Sequence, residues 1–249
     1  MKVIPIKTRR VVPSRDKNLT ALLDEYLPKL KEDSIVAITS KVAAICEGRL
    51  VKVDKAKKEE IIKKEAEYYL PQKLNKYGVM LTIKNGVLAP SSGVDESNAK
   101  GHYILWPENP QETANKARAH LRKKHKIKKL GVIITDSRTL PLHWGTTGVA
   151  IAYSGFKPLE NYIGKKDIFG RKLKMTMANV ADALATAAVL EMGEGSEQTP
   201  FAVIQETPRL RFCQANPSKK ELNRFSVNKK KDDLWSPLLS AVDWQKGGA

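Results

Sequence analysis

Two apolar runs constrain this chain more than any other feature: Ser34-Ile35-Val36-Ala37-Ile38-Thr39 and Leu130-Gly131-Val132-Ile133-Ile134-Thr135. Neither alternates apolar with polar residues, so neither suits a sheet with one wet face. Short unbroken apolar strands belong to parallel or mixed sheets covered on both sides. Helical patterns lie between them. Residues 54 to 68 are Lys/Glu-rich with Ile61, Ile62 and Ala66, which predicts an exposed helix laced by i,i+4 ion pairs. Gln111 to about Lys126 places Ala114, Ala117, Leu121 and His125 at helical spacing, and an Ala-rich helix is predicted from about Met177 to Met192. Asn85-Gly86 between Val79–Ile83 and Val87-Leu88 signals a hairpin, and Pro200 to Ile204 reads as a further strand. The expected class is α/β (mixed α+β). With 249 residues the chain holds one domain or two interlocked lobes.

Charge narrows the partners. Forty-four basic against 27 acidic residues give +17, which favours polyanions: nucleic acid, nucleotides or a phosphate-bearing metabolite. The densest basic stretch, Lys116 to Lys129, lacks interleaved aromatics for base stacking, so a solvated helix face is preferred to a nucleic-acid site there. Two cysteines, Cys46 and Cys213, cannot build a disulfide framework, and the four histidines show no metal-ligand spacing. The opening residues lack the apolar core of a signal peptide. The longest uncharged stretch, Thr139 to Phe156, is broken by Pro141, Gly145, Gly148 and Gly155 and cannot span a bilayer. A cytoplasmic protein without a membrane partner is expected.

Four segments could carry chemistry. Asp136-Ser137 follows an apolar strand, where α/β proteins bind ligands, and offers hard oxygens to Mg²⁺ or Mn²⁺; a turn-capping Asp is the alternative. The loop from Ser91 to Asn98 places Asp95 and Asn98 where they could reach a metal or nucleotide, or simply form an Asx turn. In Met192-Gly193-Glu194-Gly195-Ser196, Gly193 suits a helix C-cap and Glu194 could face a cation. Ser40-Lys41 at a strand end suits a phosphate, although no glycine-rich lead-in makes it a P-loop.

Taken together and in order, these segments resemble the coenzyme F420-0:L-glutamate ligase (γ-glutamyl ligase) family. The resemblance rests on Ser40-Lys41-Val42 with Glu47-Gly48-Arg49, then Gly93-Val94-Asp95-x-Ser97-Asn98, then Asp136-Ser137 leading to Gly148-Val149-Ala150-Ile151. Asp167-x-Phe169-Gly170-Arg171-x-Leu173, the Ala181-to-Ala188 helix running into Met192-Gly193, and Asp233-Leu234-Trp235 extend it. It implies a catalytic unit over residues 1–215 built as two intertwined lobes and a homodimer with the active site near its interface; residues 216–249, with Lys219-Lys220 and Lys229-Lys230-Lys231, read by composition as a basic and partly mobile tail. It implies joining of L-glutamate to an acceptor carboxylate such as F420-0, with GTP, Mg²⁺ or Mn²⁺, and room for a monovalent cation such as K⁺. Asp95, Asp136, Ser137 and Glu194 would hold metal, with Asp136 and Lys41 central to catalysis. The nucleotide would meet Val12, Pro13, Ser40, Lys41, Asn98, Met192, Gly193, Glu194, Gly195 and Ser196.

The chain also departs from the family pattern. Ile45 stands where a second lysine is frequent, and Leu140 and His143 replace two arginines of the segment after Asp136-Ser137. An arginine fork binds phosphate or carboxylate as neither replacement can. Acceptor contacts are therefore expected from Arg138, His143 and Arg171. Two rival readings remain at this point: the same chemistry on a folate-type acceptor, and nucleic-acid binding on a repurposed ligase scaffold.

Overall fold

The two apolar runs lie side by side at the centre of the molecule. A computed structural model describes residues 1–225 and 234–249. Its strands in chain order are β1 (Lys2–Ile6), β2 (Ser34–Thr39), β3 (Leu50–Lys52), β4 (Tyr68–Tyr69), β5 (Leu81–Lys84), β6 (Val87–Pro90), β7 (His102–Ile104), β8 (Leu130–Thr139), β9 (Thr146–Ser154), β10 (Leu159–Asn161), β11 (Met177–Asn179), β12 (Phe201–Gln205) and β13 (Gln245–Lys246). The α-helices are α1 (Leu19–Tyr26), α2 (Ser40–Glu47), α3 (Lys58–Glu65), α4 (Pro110–His125), α5 (Val180–Met192), α6 (Lys219–Phe225) and α7 (Ser236–Ser240). The fold is α/β.

The main sheet runs β1-β12-β2-β8-β9. Only β2 and β8 are parallel, paired from Ser34 with Leu130 to Thr39 with Thr135. Both faces of this pair are covered. Val36, Ile38, Leu130, Val132 and Ile134 pack under α1, α2 and α4, against Leu22, Val42, Ala114, Ala117 and Leu121. On the other face, Ile35, Ala37 and Ile133 meet Ala181, Leu184, Ala185 and Ala188 of α5. Helices on both sides remove any reason for a polar residue at alternate positions, which is why the sequence shows none.

A smaller sheet, β13-β4-β5-β6, and the pair β3-β7 are built largely from the chain between β2 and β8. Asn85 and Gly86 both have positive φ (50° and 70°), the conformation a two-residue type I′ hairpin turn demands, so the Asn-Gly expectation holds. Two predicted helices are shorter than expected. The one expected over 54–68 is α3, with its Glu59–Lys63 pair at 2.6 Å; beyond Ala66 the chain turns extended so that Tyr68–Tyr69 can join β5. The one expected from Met177 begins at Val180, because Met177–Asn179 pairs with β10 and Asn179 caps the helix through the Asp182 amide at 3.0 Å.

The basic stretch on α4 is largely committed to this fold. Arg118 is 2% exposed and donates to the carbonyls of Leu130 (2.9 Å) and Cys213 (2.5 Å). Lys116 pairs with Glu112, Lys124 with Asp24, and Arg122 with the Gln214 side chain. A buried arginine that closes carbonyls is structural. Of the expected basic tail, Lys219 and Lys220 lie in α6, and Gln245–Lys246 pairs with β4. The run Lys229 to Lys231, like Asp233, lies outside the described residues. Among the described residues no helix is long and apolar enough to cross a membrane.

Candidate functional site

The site forms where the parallel pairing of β2 with β8 ends, at Thr39 and Thr135. Asp136 and Ser137, expected to follow the strand, lie within β8, which runs on to Thr139 because β9 continues to pair with it. Beyond Ile134 the β8–β9 ladder slips by one residue: Ile134 faces Ala152 but Thr135 faces Ala150, so Ile151 is a bulge. Bulges re-aim the residues beside them. The Ala150 N–H is taken by the Asp182 carboxylate at 2.9 Å, whose second oxygen holds Arg138, also at 2.9 Å. Gly148 allows α5 to lie directly on β9, since a Cβ there would stand 2.5 Å from the Ala185 carbonyl oxygen. The Thr186 hydroxyl donates to the Gly148 carbonyl at 2.9 Å. These contacts fix β8 against α5 immediately beyond two candidate site residues, Asp136 and Ser137.

Asp136 is the first of them. Ser40, at the start of α2, donates its hydroxyl to Oδ1 at 3.1 Å, and the Trp106 indole N–H donates to Oδ2. Burial raises the Asp136 carboxyl to about 6, because these neutral donors and the nearby Lys41 charge only partly offset desolvation. Ser137, the second, donates to both oxygens of Glu194 at 2.7 and 2.9 Å, and Thr146 reaches the same carboxylate at 3.3 Å.

The loop after β6 supplies the facing wall. Lys41 Nζ lies 2.7 Å from Asp95 and 2.8 Å from the Ser97 hydroxyl. Ser97 also donates its amide and hydroxyl to Asp95, the Asx turn that the sequence allowed. Desolvation would raise Asp95, but Lys41 and the Ser97 donors outweigh it and hold the carboxyl below its usual value. Asn98 donates to the Gly195 carbonyl at 3.1 Å, joining this loop to the one after α5. That second loop is stapled to the N-terminal segment by Lys7 on the Glu197 carbonyl (2.5 Å) and by the Thr8 amide on that of Gln198 (2.8 Å). Val12 and Pro13 follow in a turn pinned by the Val12 amide on Asp16 at 2.6 Å.

Eight of the sixteen expected residues, Ser40, Lys41, Asp95, Asn98, Asp136, Ser137, Glu194 and Gly195, are thus linked across four segments. Asp95, Asp136, Ser137 and Glu194 stand as adjoining pairs, Lys41–Asp95 and Ser137–Glu194, around Asp136. Among the described residues no three His, Cys, Asp or Glu side chains form a cluster able to hold a metal. Arg138 is committed to Asp182. His143 is exposed on the β8–β9 turn and Arg171 on the loop after β10, and no hydrogen bond joins either side chain to Asp136 or Lys41 among the described contacts. Trp106 was not singled out in the sequence. Its signal was Gly93 in Gly93-Val94-Asp95, where a Cβ would lie 1.9 Å from the indole nitrogen.

Polar segments gathered beyond a helix-covered β2–β8 pair define an α/β protein with a ligand site of the kind such sheets carry. Comparison with known proteins makes the class specific. The family model described as F420-0:Gamma-glutamyl ligase matches residues 6–206. Proteins named coenzyme F420:L-glutamate ligase are similar over most of their length. That of Methanopyrus kandleri is 32% identical over 82% of this chain and 86% of its own. That of Methanocaldococcus jannaschii is 36% identical over 76% and 80%, and one from Methanococcus maripaludis 30% over 94% and 97%. The chain belongs to the F420-0:γ-glutamyl ligase family. It is a ligase.

Proposed function

We propose that this protein joins L-glutamate to the terminal carboxylate of F420-0, driven by GTP and a divalent cation through an acyl-phosphate. The observation that carries the reading is the convergence of Ser40-Lys41, Asp95–Asn98, Asp136-Ser137 and Glu194-Gly195 through direct hydrogen bonds.

A carboxylate is a poor acyl donor because oxide does not leave. Transfer of the γ-phosphoryl group to its oxygen releases GDP and creates a leaving group; the glutamate nitrogen then bonds the carbonyl carbon as phosphate departs. Lys41, a cation at the mouth of β2, suits the phosphates, and the loop from Met192 to Ser196 offers backbone to the nucleotide. The donor set suits Mg²⁺ or Mn²⁺. Among the described residues Asp136 is a desolvated carboxylate without a salt-bridge partner, and Asp95, Ser137 and Glu194 present hard oxygens on the adjoining segments. Bound there, the cation would neutralise charge on the phosphoryl group. Orientation of the glutamate amine and exclusion of water fall to the surrounding loops.

Homodimer formation is part of this reading. Leu142 and Trp144 on the β8–β9 turn and Ile168 and Phe169 on the loop after β10 are at least 90% exposed, more apolar surface than loops normally leave in water. Leu140 and His143 stand where arginines are usual and Arg138 is engaged by Asp182, so the acceptor is the part of the reading that the assay addresses directly. The test is an endpoint assay with GTP or ATP, Mg²⁺ plus Mn²⁺, glutamate and either F420-0 or a reduced folate, read by mass spectrometry. A glutamyl adduct on F420-0, lost in Asp136→Asn, is expected. An adduct on the folate alone would move the acceptor, and no adduct on either would refute this acceptor class.

A further inference from the structure

Trp106 is 1% exposed and lies between two charged systems. On one edge its indole N–H meets Asp136 Oδ2, while Ser40 holds Oδ1 at 3.1 Å. Against its ring lies Lys84, with Nζ 5.4 Å from the centroid. Lys84 is itself buried and pairs with Glu65 at 2.5 Å. Arg49 closes the arrangement: it donates to Glu65 at 2.7 Å and to the Trp106 carbonyl at 3.1 Å. The indole is therefore held by its backbone, by its face, and by Gly93 passing where no side chain fits.

A buried indole N–H needs an acceptor, and any carbonyl would serve. Here it takes the carboxylate one residue beyond the end of the β2–β8 pairing, a charge-assisted bond to the centre of the site. The terminal torsion of an aspartate is broad and roughly two-fold, so the carboxylate plane is set by its hydrogen bonds rather than by its rotamer. We propose that Trp106 is a positioning residue, braced by Lys84, Glu65 and Arg49, that fixes the Asp136 carboxylate plane for a divalent cation. This rests on the reading that Asp136 binds such a cation. Groups that orient a metal ligand from behind it typically contribute about 10–100-fold to metal affinity.

The test is Mn²⁺ binding to the purified full-length protein by calorimetry, with no substrate present. Asp136→Asn should abolish the site. Trp106→Phe, which keeps a buried ring but deletes the N–H, should weaken it by on the order of tenfold with a cooperative thermal transition retained. Trp106→His, which restores a ring N–H, should recover part of the loss. Unchanged affinity in Trp106→Phe, with binding lost in Asp136→Asn, would overturn the proposal and leave the cation reading intact. Unchanged affinity in Asp136→Asn would overturn both. Proton–nitrogen NMR of the wild-type indoles gives a measurement that needs no variant to fold. Of the four tryptophans, one N–H should resonate downfield and broaden first with substoichiometric Mn²⁺. Uniform response of all the indoles would overturn the proposal.

Discussion

Replacing Asp136 by Asn should make the metal-free protein more stable at neutral pH while removing its activity. The folded carboxyl titrates at about 6 against an unfolded reference near 3.8. That gap of roughly two units corresponds to about 3 kcal/mol at pH well above 6, counted against the folded state. By surface exposure the residue is only partly buried, so solvent screens some of the charge and about 1–2 kcal/mol is the expected gain on deleting it. Asn can preserve the side-chain bonds: its oxygen in the Oδ2 place accepts from Trp106, and its amide in the Oδ1 place donates to the Ser40 hydroxyl, which can reverse roles. The sign of the pH dependence follows from the raised value. As pH falls from above 6 toward 4, the wild type takes up a proton that its folded state prefers. It gains stability, and the two proteins converge. Chemical denaturation in chelator at pH 7.5 and pH 4.5 measures both ends. A variant that is less stable than wild type by the same amount at both pH values would show that geometry governs this position, and the charge argument would be refuted.

Other outcomes follow from the same structure. Gly148→Ala forces α5 off β9, because the Ala185 carbonyl is backbone and cannot step aside; a loss of roughly 1–3 kcal/mol is expected in urea unfolding. Asp182→Ala strips Arg138 and the Ala150 amide of their partner at once, and should cost about 2–4 kcal/mol. A double-mutant cycle with Arg138→Met should recover much of that cost, and strict additivity would refute the coupling. His125 accepts the Leu30 amide through Nδ1 and is held below its usual pKa by burial, so its contribution is present above about 6.5 and is lost as pH falls through the lower folded value. His125→Gln should flatten that limb of the stability–pH curve.

What could be read from the residues was what their own neighbours decide. The apolar runs announced strands covered on both faces, Asn85-Gly86 announced its turn, and Ala114, Ala117, Leu121 and His125 marked α4; its start at Pro110, where the Asn109 side chain caps the Glu112 amide at 3.0 Å, was not read. Boundaries failed where a distant strand made the decision: Met177–Asn179 leaves its helix for β10, and Tyr68–Tyr69 leaves α3 for β5. The candidate site residues came from motif order, which carries no information on how they pair. Nothing local says that Lys41 will take Asp95, that Arg138 will turn to Asp182, or that the acceptor for the Trp106 N–H lies 30 residues away.

The parallel pairing of β2 with β8 also sets a timetable for synthesis. Ser40 and Asp136, one residue beyond a paired end, are separated by 96 residues. At about 5–20 residues per second, the ribosome delivers β8 roughly 5–20 s after β2. Through that interval the nascent chain carries Ser34–Thr39, a β-prone segment without a charge or a proline, whose permanent neighbour does not yet exist. Its other neighbour, β12, emerges later still. A strand suited to the middle of a finished sheet is thus the segment most in need of shielding while the polypeptide is being made.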